Sequence, residues 1–115
     1  MDTRANILVI GSRDALDSFR ATTRTCLRAP VAVVRGSAVG PLHPAATLVI
    51  EDAHLLDASA QAAVAAWTAA PENADAQVIS LTSRRLYPLV VAGDFDADLY
   101  YRLNAIVLNV DEEAR

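Results

Sequence analysis

The sequence has no lysine: all ten basic residues are arginines, so any mechanism that needs a lysine is excluded before motifs are considered. Its single cysteine, Cys26, has no internal partner, which rules out an internal disulfide, and no charged-then-apolar leader opens the chain. A cytoplasmic protein is expected. No apolar run approaches the ~20 residues needed to cross a bilayer. The longest, Val31 to Val34 and Leu48 to Ile50, are strand-sized, so no membrane contact is expected. The formal net charge is −4 and the arginines are scattered, whereas binding to a nucleic-acid backbone depends on clustered cations. That argues against direct DNA binding. His43 and His54 lack cysteine or acidic partners at metal spacing and read as surface histidines, so no metal site is expected.

What is present suffices for one compact domain. The 115 residues are 53% apolar, enough to stabilise a core without a metal or disulfide, and residues 1–115 read as one unit. Asn6 to Ile10 reads as a buried strand ended by Gly11, with Ser12 or Asp14 capping a helix to about Leu27. Leu16, Phe19, Thr23, Cys26 and Leu27 fall at spacings of three and four, which places Cys26 in the core. Further strands are predicted at Val31 to Val34, Thr47 to Ile50, Gln77 to Leu81 and Ile106 to Val110. Gly36 to Ala45 reads as a loop. Asp57 is a candidate N-cap for a helix through Ala70 with Ala60, Val64 and Trp67 inward. Short helices are predicted at Leu86 to Ala92 and Asp96 to Leu103, around Gly93, and the acidic Asp111 to Arg115 tail is expected to fray. Strands alternating with helices imply a three-layer α/β domain around a parallel sheet.

The most specific stretch is Gly93-Asp94-Phe95-Asp96-Ala97-Asp98-Leu99-Tyr100-Tyr101-Arg102-Leu103-Asn104. It resembles the Gly-x-Phe-Arg-x-Asp-Leu-Tyr-Tyr-Arg-Leu-Asn signature of the AAA+ domain of sigma-54-dependent transcriptional activators. Upstream, Thr47 to Asp52 resembles the Walker B strand of that family, Gln61 matches a glutamine of the next helix, and Thr82 to Leu86 resembles the sensor I segment. The resemblance covers roughly Thr47 to Val110 and implies a five-stranded parallel sheet of order 5-1-4-3-2.

The same resemblance exposes what has changed. An ATPase of this kind needs a glycine-rich loop and a lysine to hold phosphates. The corresponding segment, Gly11 to Ser18, keeps only Gly11 and has Asp17 where the lysine would be. Arg13 is a nearby cation, but solvation in the first turn of a helix is the favoured explanation for it. Glu51 stands at the magnesium-binding Asp and Asp52 at the water-polarising Glu, the two lengths exchanged, and a misplacement of ~1 Å is costly in catalysis. The alternative for this pair is a solvent-exposed acidic strand end. Ser83 occupies the sensor asparagine position, Asp96 reverses the first trans-acting arginine, and Arg102 retains the second. Asp98 and Arg102 are four apart, so an ion pair within their helix accounts for both. The sigma-54-binding loop is replaced by the short Gly36 to Ala45 segment, and no helical lid is expected.

The resemblance and the losses together predict a non-catalytic AAA+-like regulatory or interaction module with no cofactor. Asp98, Tyr100, Tyr101 and Arg102 are its docking candidates, and the partner would be itself or a sigma-54 activator subunit. The alternative is a residual nucleotide binder or weak ATPase, taking ATP and magnesium through Gly11, Glu51, Asp52, Ser83 and Arg102. A receiver-like signalling domain ranks below both, because it lacks the lysine such a site uses.

Overall fold

A computed structural model describes residues 5–36, 40 and 42–111. Positions 37–39 and 41 of the expected loop, and 112–115 of the expected tail, lie outside them. Five strands form, β1 (Ile7–Ile10), β2 (Val31–Arg35), β3 (Thr47–Glu51), β4 (Gln77–Thr82) and β5 (Ile106–Asn109). Four helices join them, α1 (Arg13–Thr23), α2 (Ala58–Ala69), α3 (Tyr87–Ala92) and α4 (Ala97–Leu103). All strands pair in parallel, in the order β2-β3-β4-β1-β5. This is the expected 5-1-4-3-2 sheet seen from its other edge. Among the described residues no helix follows β5, and none is long and apolar enough to cross a membrane.

Short side chains start the helices where the sequence places them. Ser12 Oγ accepts from the Ala15 amide at 3.2 Å, Asp57 Oδ1 from Ala60 at 2.8 Å, and Asp96 Oδ2 from Leu99 at 2.8 Å. Caps of this kind are worth about 1 kcal/mol each. Helix α3 ends at Gly93, whose φ of 86° lets its amide turn back to the Leu89 and Val90 carbonyls.

The strand order dictates which face each connection covers. From β1 the chain crosses to β2 in one direction, whereas β2 to β3, β3 to β4 and β4 to β5 all step the other way. Right-handed crossovers then put α1 on one face and everything else on the other. The two cores agree. Leu8, Val34, Leu48, Ile50 and Val78 pack with Val64 and Trp67 of α2, Phe95, and Leu99 and Leu103 of α4. On the opposite face Val9, Val49, Ile79 and Leu81 pack with Ile7, with Leu16 and Phe19 of α1, and with Leu27 and Val110.

Cys26 departs from the expected core position. The α-helix stops at Thr23, and Arg24–Cys26 turn as a 3₁₀ segment with three residues per turn. The 3.6-residue stripe therefore loses phase, and Cys26 faces solvent. Native protein should consequently react with a thiol-selective disulfide reagent as fast as a free cysteine does. Protection lifted only by denaturant would contradict the exposed placement.

Candidate functional site

In open α/β sheets ligands bind beyond the carboxyl ends of the strands, where neighbouring connections leave for opposite faces. Here that point lies between β1 and β4. Strand β1 passes into α1 through only Gly11 and Ser12. Gly11 is buried, its amide donates to the Thr82 carbonyl at 3.2 Å, and a Cβ there would lie 2.6 Å from Val110 Cγ2. Close approach of the chain leaving β5 thus accounts for the glycine. The Ser12 amide donates to the Asp111 carboxylate, 3.0 Å from each oxygen. An anion thus already sits at the α1 N-terminus, the place such groups favour. Asp111, expected to fray, is tied down by this bond.

Glu51 is not the solvent-exposed carboxylate that its strand-end position suggests. Its residue is 7% exposed, and its oxygens meet Arg20 Nε and Arg35 Nη2, each at 2.9 Å. Burial of a carboxylate requires such partners. Arg35 is the register partner of Glu51 on β2, and Arg20 reaches down from α1 while also standing 3.6 Å from Asp17. Asp52 follows in the left-handed region (φ 55°), a conformation aspartate tolerates, and its carbonyl accepts from the Leu55 amide at 2.8 Å. Glu51, Asp52 and exposed Ser83 share one small cleft of about 120 Å³ with Arg13, Asp17 and Arg35. Arg102 does not join them. It lines a separate hollow with Asn6, Trp67 and Thr68, and its carbonyl accepts from Asn6 Nδ2, just ahead of β1, at the amino ends of the strands.

Beside the cleft His54 is more than a surface histidine. Thr82 Oγ1 donates its only proton to the Arg84 carbonyl at 2.6 Å and accepts from the Arg84 amide at 3.1 Å. The 3.1 Å contact with His54 Nδ1 therefore needs Nδ1 to carry the hydrogen, leaving Nε2 as acceptor in the neutral ring. Burial pushes the His54 pKa below its usual value; Asp52 opposes the shift, and Arg84 and Arg13 add to it. Nothing in the spacing of residues 54 and 82 signals this contact.

The Gly93 to Asn104 signature is held largely by structural contacts. Gln61, buried on α2, donates through Nε2 to the Leu56 and Asp94 carbonyls, both at 2.9 Å, and accepts from the Asp96 amide at 2.8 Å. It clamps the segment in which Phe95 enters the core and Asp96, the reversed arginine position, caps α4. The expected Asp98–Arg102 pair does not form among the described ion pairs. Arg102 Nη1 turns instead to Thr68 Oγ1 at 2.9 Å and the Ala65 carbonyl at 3.5 Å, near the negative end of the α2 dipole. Asp98 stays in the first turn of α4, where a carboxylate is favoured without a partner. Tyr100 is half-buried, its ring 5.3 Å from Tyr101 and 6.0 Å from Tyr87, while Tyr101 is 63% exposed.

Two outcomes follow from these contacts. Gln61→Ala strands three buried or part-buried backbone groups and should cost about 2–3 kcal/mol in denaturant unfolding; a loss under ~0.5 kcal/mol would contradict the clamp. For His54 the folded pKa lies below the unfolded ~6.5, so the unfolded state binds more protons between the two values. The contribution of His54 is fully present above ~6.5 and falls as pH drops towards the folded pKa. Stability measured from pH 7 to 5 should thus decline less in His54→Asn, whose amide can still donate to Thr82.

The sigma-54 interaction domain profile matches residues 20–112. Three crystal structures of NtrX from Brucella abortus share the fold: the ATP complex (TM-score 0.69, 18% identity), the ADP complex (0.67, 16%) and a third without a named nucleotide (0.68, 18%). Each alignment covers 94% of this chain and 32% of the NtrX chain, so the chain spans about a third of the length of these relatives. No curated protein matches it. The profile match over most of the chain places it in the sigma-54 interaction domain family.

Proposed function

We propose that this chain is a non-catalytic, cytoplasmic regulatory domain of its family that acts by protein interaction. The observation that carries the reading is the state of Glu51. In the magnesium-ligand position its two oxygens are engaged by Arg20 and Arg35, both at 2.9 Å. A metal–triphosphate would have to break both charge-assisted bonds before Glu51 could face a cation. Three further features support it. The α1 N-terminus is occupied by Asp111, and Asp17 stands where a phosphate-neutralising lysine is required. The cleft of about 120 Å³ also falls well below the ~300–1,000 Å³ usual for small-molecule sites.

The docking surface in this reading is the exposed face of α3 and α4, where Tyr101 and Tyr87 flank the half-buried Tyr100 and Val91 is 70% exposed. Aromatic side chains held against one another lose little entropy on binding and are enriched at interface hot spots. The partner is a second copy or an activator subunit. Because Arg102 is already occupied by α2, Tyr101 is the better anchor of the two.

Titration calorimetry with ATP and magnesium should show no binding in the low micromolar range. A low-micromolar dissociation constant would replace this reading with the residual nucleotide-binding one. For the docking face, Tyr101→Ala should weaken self-association or capture of an activator subunit about thirtyfold, ~2 kcal/mol, in sedimentation or pull-down measurements. Arg102→Ala should change it far less. A parent chain that is monomeric at high concentration and binds no activator subunit would overturn the docking assignment.

A further inference from the structure

Proline and charged side chains keep the edge strand of a sheet from pairing with another chain. Strand β2, at one edge, follows Pro30 and ends in Arg35, whereas the run Ile106 to Val110 through β5, at the other, contains neither a proline nor a charge. Every residue of β5 is exposed, Ile106 at 43%, Val107 at 50% and Leu108 at 38%. Its backbone is open as well. The Ile106 and Val110 amides donate to the Asn6 and Ile10 carbonyls at 3.0 and 2.9 Å, so these residues, and Leu108 between them, turn their backbone groups to β1. Alternate residues of a strand in a parallel pair present both groups to the same side. The amides and carbonyls of Val107 and Asn109 therefore point outward, and neither residue has a backbone partner on that side among the described residues.

We propose that β5 pairs antiparallel with β5 of a second copy, about a two-fold axis at Leu108, and so joins the two sheets into one. The register is self-complementary: Val107 of each strand stands opposite Asn109 of the other, and every outward amide and carbonyl of β5 finds a partner. Leu108 then faces its own counterpart, with Cα atoms ~4.5 Å apart, and Ile106 faces Val110 of the second copy. Register with β1 sets Ile106 and Leu108 beside Ile7 and Val9 on the α1 face, so these contacts form one apolar row across the junction. Charge selects the direction. Asp111 closely follows β5, so a parallel pair would set two carboxylates side by side, whereas the antiparallel pair sends them to opposite ends, each beside Ala105 of the other copy. Charge also selects the occupant: a strand bearing charges would meet no counter-charge between Ile106 and Val110, and a second copy brings none. A contact made by one short strand lies at the small end of interfaces, below ~1,200 Å², so the dimer is a concentration-dependent equilibrium in the micromolar range. The pairing uses none of Tyr87, Val91 or Tyr101 and stands independently of the docking role given to them.

Sedimentation velocity of the full chain from about 5 to 500 µM should show a monomer–dimer equilibrium. Over the same range hydrogen exchange at the Val107 and Asn109 amides should slow by about fivefold or more as dimer forms. Val107→Pro removes an outward amide while leaving the bonds of Ile106 and Val110 to β1 in place, and should weaken dimerisation about tenfold or more. Leu108→Lys and Leu108→Glu each set like charges across the axis and should be monomeric alone. An equimolar mixture of the two should associate, which also shows that both remain folded. Val33→Lys, on the β2 edge, and Tyr101→Ala should leave the protection of the Val107 and Asn109 amides unchanged. A parent chain that stays monomeric, a dimer indifferent to Val107→Pro, a mixture of the two Leu108 variants that does not associate, or protection lost with Val33→Lys or Tyr101→Ala would overturn the proposal.

Discussion

A parallel sheet ordered β2-β3-β4-β1-β5 constrains nearly every other feature of this domain. Three of its four crossovers step in one direction, and handedness sends all three to the same face. That face receives α2, α3, α4 and the Leu42 to Ala45 segment, and with them Trp67, Phe95 and Leu99. The first crossover alone serves the other face, with a helix whose solvent side is polar. The crowded face must then reconcile several elements, and Gln61 does this. One amide side chain, buried on α2, meets the backbone on both sides of Phe95 and fixes how α4 approaches the sheet.

The same order brings charge together at the carboxyl ends of β1, β2 and β3. Two carboxylates there have partners within the chain: Asp111 the Ser12 amide, Glu51 the guanidiniums of Arg20 and Arg35. Glutamate length matters for the second. An aspartate at position 51 would fall ~1.5 Å short and could not meet arginines from α1 and β2 at once. The exchange of acid lengths, which argues against magnesium chemistry, thus has a positive use in closing the cleft. Removing one partner from a largely buried carboxylate is unfavourable, so ligands that require a free Glu51 compete with the fold itself.

The strands, the helix starts and most of the core were legible in the sequence, because each is written locally. Apolar runs of four, four and three residues mark β1, β2 and β3, and Ser12, Asp57 and Asp96 stand where capping hydroxyls or carboxylates belong. The strand order came from the resemblance and is not encoded in any periodicity. What stayed hidden depends on neighbours in space. Cys26 was misplaced because the helical period was carried past a turn that does not obey it. Arg102 was assigned to Asp98 because the sequence shows only its own helix, and the competing carbonyl of Ala65 lies 37 residues away. The Glu51 environment was partly recoverable: Arg35 and Glu51 each directly follow the apolar run of their strand, so parallel strands ending flush would place them side by side. Asp111 left no such signal.

Once these contacts are accounted for, the match to the family signature divides into two kinds of residue. Gly93, Phe95, Asp96, Leu99, Arg102 and Leu103 all have partners inside the chain, so the stretch would persist without any partner protein. Tyr101 does not: its ring stands edge-on to Tyr100 and is largely exposed, as are Tyr87, on the other side of Tyr100, and Val91. Other large apolar exposures lie at both sheet edges, Val31 and Val33 on β2 and Ile106, Val107 and Leu108 on β5, and at Leu55. Exposed apolar groups scattered singly need no explanation, but grouped ones mark surfaces that are covered in use. The strand-end cleft is closed by the chain's own arginines, and the grouped apolar exposures lie away from it, on α3, α4 and the sheet edges.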